Sequence, residues 1–409
     1  MTQLTVLANG VRVVSQTMRH VATVALGLHV DTGARFETEA TNGVAHLLEH
    51  MVFKGTATRS ARAIAEVVED VGGSLNAYTA RDMTVFHARV LAQDMALGLD
   101  VIADLVRNPR FDADELEREK TVVLQELGEA RDTPDDIVFD HLQAAAFPGQ
   151  ALGRSILGDE VSIAAITEGD LRDWLNVQYR GGACIVAAAG AVDHDMLVGL
   201  SERLFGDLPA GPRPAMVPAA FAPGVMHDRR KFEQAHLTLG ALAPGHHHPD
   251  YDAIALFVMA VGGGASSRLF QELREERGLA YSVYSSTSAY ADIGLFSVYL
   301  ATAKNDAGRG FDLAVEVLAT CAATLRPDEL ARAKAQVRAG LLMSLESPGG
   351  WAEFLARQLL AHGKLQTPAE LVARIDAVGL DHVRAAAGRL VAGPYAVADV
   401  GAAAIKRAA

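Results

Sequence analysis

The chain has 409 residues, half of them hydrophobic and 21% charged, with a net charge of −13 at neutral pH. Such a composition supports a large folded core and two to four domains. It lacks the basic surplus that a general nucleic-acid binder needs, and no stretch reaches the roughly 18 uninterrupted apolar residues that would span a membrane.

Leu4 to Leu7 and Val11 to Ser15 read as a hairpin turned at Asn9-Gly10, and Val21 to Val30 as a largely buried strand. A helix is expected from Ala40 to Phe53, with Asn42 as its cap and Gly55 as its stop. A second amphipathic helix, Ala61 to Val71, ends at Gly72-Gly73. Strands follow at Ser74 to Thr79 and Met83 to Val90. Next come helices from Gln93 to Asn108, stopped by Pro109, and from Asp112 to Arg131, whose acidic start suits the macrodipole. Thr133-Pro134 opens a helix over Asp135 to Phe147; Ile163 to Val177 is helical and Ala183 to Ala189 an apolar strand.

Pro209, Pro212, Pro214, Pro218 and Pro223, with Gly211 and Gly224, mark an extended linker. The expected division is therefore 1–210, a linker at 211–224, and 225–409. Beyond the linker the element order repeats. His236 to Ala243 matches the strand at Val24 to Val30, Tyr251 to Val261 takes the place of the helix at Ala40, and Arg309 to Leu325 that of the helix at Asp94. Asp328-Glu329-Leu330 echoes Asp114-Glu115-Leu116. Cys184 and Cys321 lie in apolar stretches and read as buried thiols. His246-His247-His248, between Gly245 and Pro249, reads as a loop. No basic segment leads into an apolar run at the N-terminus, so a cytoplasmic protein is expected.

The chemistry concentrates in Gly43-Val44-Ala45-His46-Leu47-Leu48-Glu49-His50-Met51. His46 and His50, four apart, share one helical face, and Glu49 lies beside it. H-x-x-E-H is the inverted zincin pattern. Two neutral imidazoles and one carboxylate make a zinc site with a fourth position for water, and a nearby carboxylate can take that water's proton. A half-buried helix whose histidines bond backbone carbonyls fits the bare pair equally well. For a third ligand, Glu119 and Glu126 lie seven apart on one helix, within or beside the stripe Leu116, Val123, Leu127. Carboxylates aimed at a core need a cation or a donor; a solvated face is the other reading. The second half has no such chemistry: Tyr251-Asp252-Ala253-Ile254-Ala255-Leu256 replaces the motif, and Ala333 and Gly340 align with Glu119 and Glu126.

The run from Asn42 to Thr56 resembles the active-site segment of the pitrilysin, insulinase and mitochondrial processing peptidase family. The likeness continues through Gly72 to Thr79, Val123 to Leu127, Ser267 to Arg274 and Gly278 to Ser282. The short length resembles the processing-peptidase-like subfamily. The resemblance implies an α+β fold of two homologous halves, each a mainly antiparallel sheet packed with helices, with chains pairing into a clamshell chamber. It implies His46, His50 and Glu126 as ligands of one zinc ion per chain. Glu49 would be the base that activates the zinc-bound water, and Glu119 a supporting acid beside a ligand. Arg274 and Tyr281 would stabilise the oxyanion, supplied by the other half of the chamber and, in related dimers, by the partner chain.

By the same resemblance Gly72 to Thr79 would be the edge strand along which the extended peptide substrate is laid. Asn76 and Ala77 would contact it near the scissile bond, and Phe53 and Phe270 would wall the residue after that bond. Asp136 and Asp140 match acids that hold a substrate arginine, and Gly262-Gly263-Gly264 a flexible glycine-rich segment. Core packing for the two phenylalanines, and a solvated acidic face for the two aspartates, are the plainer alternatives. The expected protein is a zinc metalloendopeptidase, a homodimer, cleaving unfolded peptides or arginine-containing leaders. The alternative is a non-catalytic scaffold subunit of the same fold.

Overall fold

The run Cys184-Ile185-Val186-Ala187-Ala188-Ala189 has no polar face, so a strand formed from it must be covered on both sides. A computed structural model, describing residues 1–401, places this strand inside a six-stranded sheet. In chain order the elements are β1 (Thr2–Val6), β2 (Arg12–Thr17), β3 (Thr23–Val30), α1 (Val44–Val52), α2 (Ala61–Glu69), β4 (Ser74–Thr79), β5 (Thr84–Leu91) and α3 (Met95–Arg107). They continue with α4 (Ala113–Asp132), α5 (Pro134–Ala146), α6 (Glu160–Ala165), α7 (Glu168–Gln178), β6 (Cys184–Gly190) and α8 (His194–Phe205). The sheet order is β1-β2-β6-β3-β5-β4, antiparallel throughout except for the β2–β6 pair.

After the proline-rich stretch come β7 (Val225–Asp228), β8 (Ala235–Ala243), α9 (Tyr251–Gly262), β9 (Ser282–Ala289), β10 (Gly294–Thr302) and α10 (Ala307–Thr324). The chain ends with α11 (Pro327–Ser344), α12 (Pro348–His362), α13 (Pro368–Ala377), α14 (Leu380–Ala392) and β11 (Ala396–Val400). The second sheet runs β7-β11-β8-β10-β9, with β7–β11 its parallel pair. Strand for strand this is β2-β6-β3-β5-β4. The two halves thus share one topology, and β1 is an addition to the first.

The units are not the sequential ones expected from the linker. One comprises residues 1–127, 154–217 and 343–365; the other comprises 128–153, 218–342 and 366 to the last described residue, 401. Each half sends one helix to the other half's sheet. On β6, Val186 and Ala188 join the core beneath α1 and α3, while Ile185, Ala187 and Ala189 meet Ala352, Leu355, Ala356 and Leu359 of α12. On β11, Val397 joins the core beneath α9 and α10, while Ala396, Ala398 and Val400 meet α5 through Val138, Leu142 and Ala146. A strand apolar on both faces needs two covers, and the exchanged helices provide the second.

Local boundaries shift for local reasons. The helix expected over 163–177 is two helices, because Asp159 and Thr167 each form a capping box. The helix expected from Ala40 starts only at Val44, after Gly43 at φ +91°.

Candidate metal centre

Six of the nine residues of α1 are buried: Val44, Ala45, Leu47, Leu48, Met51 and Val52. The helical period leaves His46, Glu49 and His50 on the remaining stripe, continued by half-buried Phe53, which packs on the same core. Asn42 is not the cap. Gly43 precedes the helix with no side-chain hydrogen bond of its own, and the free amides go instead to Glu37. Its Oε2 accepts from Gly43 N at 2.8 Å and its Oε1 from Ala45 N at 2.9 Å. Asn42 braces that carboxylate through Nδ2 at 2.8 Å. Glu37 is buried, and burial pushes its carboxyl up to about 7 even though the Ala45 and Gly43 amides and Asn42 pull it down.

Helix α4 supplies the acids. Glu119 and Glu126 are two turns apart beside buried Leu116, Val123 and Leu127. Glu126 Oε2 lies 3.8 Å from His46 Nε2 and 3.5 Å from His50 Nε2. Those separations are close to the edge of a tetrahedron with metal–ligand bonds of about 2.1 Å, which is about 3.4 Å. Among the described residues, His46, His50 and Glu126 form the one group of three potential ligands whose donor atoms all lie within 4.8 Å of one another. Burial, and then the neighbouring His50, hold His46 down to about 4, so its ring is neutral at pH 7 with a lone pair to give. The donor set therefore fits a tetrahedral zinc ion with one position left over.

Glu119 does not join that group. Its Oε2 accepts from His50 Nδ1 at 3.1 Å and its Oε1 pairs with Lys54 Nζ at 2.7 Å. A proton on Nδ1 leaves the His50 Nε2 lone pair facing His46 and Glu126. Glu49 stands on the same stripe of α1. Burial raises its carboxyl, opposed by a 2.6 Å hydrogen bond from the Thr79 hydroxyl.

The other expected site residues divide between the units. In the first, Asn76 is exposed on β4, the sheet's outer strand, with its Oδ1 on Ala77 N; Ala77 is buried. In the second unit, Arg274 lies over the Phe270 ring at 4.8 Å and the Tyr281 ring at 5.8 Å, and both Arg274 and Tyr281 are exposed. The three belong to the helical turns Phe270–Glu276, wound at the wider π spacing, and to the residues just before β9. Asp136 and Asp140 lie on α5, also in the second unit. Burial and then repulsion from Asp140 and Asp135 raise the Asp136 carboxyl. The His246 to His248 run is a loop, in which His248 Nδ1 accepts from Asp250 N. Sequence reasoning passed over Glu37, Lys54 and Thr79. The signals for Thr79 were its place at the end of the expected strand and of the family-like stretch from Gly72.

Residues 12–160 match the family described as insulinase (peptidase family M16), and residues 165–337 match the family's inactive domain. A zinc protease of Bacillus subtilis, uncharacterized by name, is 38% identical over 95% of this chain and 96% of its own. The chain belongs to the insulinase family of peptidases. A similarly named zinc protease of Mycobacterium leprae is 37% identical, covering 97% of this chain and 91% of its own. The mitochondrial-processing peptidase subunit beta of Lentinula edodes is 35% identical, covering 94% and 86%. The fold of this insulinase-family chain also matches two solved structures. One, an M16 inactive domain from Pseudomonas fluorescens, has a TM-score of 0.91 at 24% identity, covering 100% of this chain and 99% of that one. The other, a protease from Helicobacter pylori, has a TM-score of 0.88 at 21% identity, covering 98% and 99%. The inactive-domain match, 165–337, lies wholly after His46, His50 and Glu126 in the sequence.

Proposed function

We propose that this chain is a zinc-dependent endopeptidase that cleaves unfolded peptides, acting as a cytoplasmic homodimer whose chains enclose a chamber. The observation that carries the reading is the convergence of His46 Nε2, His50 Nε2 and Glu126 Oε2 beside the uncoordinated carboxylate of Glu49. A zinc ion held there would supply Lewis-acid polarisation of the peptide carbonyl and acidify the attacking water. Glu49 takes the water's proton and delivers it to the leaving amine. The guanidinium of Arg274 and the hydroxyl of Tyr281, supplied by the partner chain, donate to the oxyanion. The outer edge of β4 holds the substrate backbone by strand addition, with Asn76 and Ala77 nearest the cleaved bond. Phe53 and Phe270 wall the next side chain, and Asp136 and Asp140 hold an arginine of leader-type substrates. The scaffold alternative is disfavoured because the ligand set and its supporting acid are all present.

The test is to count zinc per chain and assay an arginine-containing leader peptide by mass spectrometry, with and without a chelator. About one zinc per chain and chelator-sensitive cleavage at a defined bond are expected. Glu49→Gln should keep zinc and lose about 10²- to 10⁴-fold in rate. Zinc-loaded protein that cleaves no peptide, or a fully active Glu49→Gln variant, would overturn the reading.

A further inference from the structure

Strand β4 is an outer strand, hydrogen-bonded to β5 alone within its sheet. Side chains alternate across it. Leu75, Ala77 and Thr79 face the core beneath α1, while Asn76 and Tyr78 face the opposite side. Both ends of that alternation are tied. On the α1 side the Thr79 hydroxyl donates to Glu49 Oε2 at 2.6 Å, and the Thr79 backbone also bonds Glu49. The same hydroxyl lies 3.4 Å from the Ala45 carbonyl. It has one proton, and the carboxylate oxygen at the much shorter distance takes it. On the other side the Tyr78 hydroxyl donates to Glu353 Oε1 at 2.7 Å.

Glu353 belongs to α12, the helix that reaches this sheet from the second half of the sequence. Arg357, one turn on, pairs with it, and buried His29 lies 3.9 Å from its other oxygen. Burial would raise the Glu353 carboxyl, but His29, Arg357 and the Tyr78 hydroxyl hold it below its ordinary value, so it is an ionised acceptor.

Building on Glu49 as the base, we propose that Thr79 is the positioning residue for its carboxylate, and that the Tyr78–Glu353 hydrogen bond fixes β4 from the opposite face so that Thr79 stays in place. A carboxylate whose Oε2 is engaged offers its proton-accepting lone pairs mainly through Oε1, in one orientation. A strand paired on one side only is free to shift unless side chains anchor it. The same strand is the proposed platform for substrate, so one anchored element sets base and peptide together.

The experiment uses the full zinc-loaded chain and the variants Thr79→Val, Thr79→Ser, Tyr78→Phe and the Thr79→Val/Tyr78→Phe pair. Thr79→Val keeps shape and backbone and loses the hydroxyl. It should lower kcat about tenfold, the scale of one charge-assisted hydrogen bond or a small misplacement, with KM, zinc affinity and Tm near wild type. Thr79→Ser should recover most of that loss. Tyr78→Phe should lower kcat by a smaller factor, about threefold, and add nothing in the Thr79→Val background, because both act through one carboxylate. Unchanged kcat in Thr79→Val, or Thr79→Ser no better than Thr79→Val, would overturn the proposal; the second result would mark simple packing. Full activity in Tyr78→Phe would remove the α12 anchor. A crystal structure of metal-free Thr79→Val beside wild type gives a readout independent of activity. The Glu49 carboxylate should leave its wild-type position, and its retention there refutes the positioning role. If the zinc-loaded wild type cleaves nothing, the peptidase reading fails, while that structural comparison still decides what Thr79 does.

Discussion

Replacing Glu119 with Gln separates the metal-supporting role proposed for that carboxylate from bulk effects, since shape is kept. The side chain is 5% exposed and each oxygen has one partner, His50 Nδ1 at 3.1 Å and Lys54 Nζ at 2.7 Å. An amide has one acceptor. Lys54 can only donate, so the Gln oxygen turns to Lys54 and the NH₂ faces His50. The ring can then accept at Nδ1 only by carrying its proton on Nε2, the atom that faces His46 and Glu126. Undoing that preference costs about 1.5–3 kcal/mol, the range for a hydrogen bond to a charged group. That is roughly ten- to a hundredfold in zinc affinity at about 1.4 kcal/mol per tenfold. Competition against a chelating dye measures the affinity, and ¹⁵N shifts of metal-free protein report the His50 tautomer. Zinc affinity within twofold of wild type, with the proton still on Nδ1, would refute the argument.

Other predictions follow from the same geometry. Glu37 is held near 7, against an ordinary 4.5, by burial. Its proton is therefore bound more tightly when folded, so its contribution to stability is full below about 4.5 and is lost as pH rises through 7, by roughly 3 kcal/mol. In urea unfolding of metal-free protein, Glu37→Gln should lose less stability than wild type between pH 5 and pH 8; parallel losses would contradict this. Gly43→Ala places a Cβ 2.5 Å from Ile163 Cδ1 at φ +91°, which should cost roughly 2–4 kcal/mol and weaken zinc binding. Gly128→Ala meets nothing within 4 Å on α4 and should be neutral or stabilising by up to about 1 kcal/mol. A thermal scan of the pair checks both. Arg274→Ala, at an exposed position, should leave Tm unchanged and lower kcat roughly a hundredfold; an effect confined to KM would assign the guanidinium to substrate binding instead.

Short-range periodicity is legible in the amino-acid order alone. His46, Glu49 and His50 had to share the polar stripe of α1 because the residues between them are apolar, and Glu119 and Glu126 had to share a face of α4. The repeat of element order was readable for the same reason, and short apolar or alternating runs marked the strands. Which distant groups meet depends on how the elements pack. Glu37 caps α1 from outside any capping motif, because the turn at Gly43 folds the chain back onto its own helix. Thr79 reaches Glu49 because β4 lies under α1. The linker was legible as a break in composition, yet it does not bound the units, because β6 and β11 each carry a second apolar face that their own half leaves uncovered. An apolar face states that it must be buried; it does not state by which helix. That choice rests on the packing and register around each sheet, and here it brings Glu353 from the second half of the chain to the strand beside the candidate metal centre.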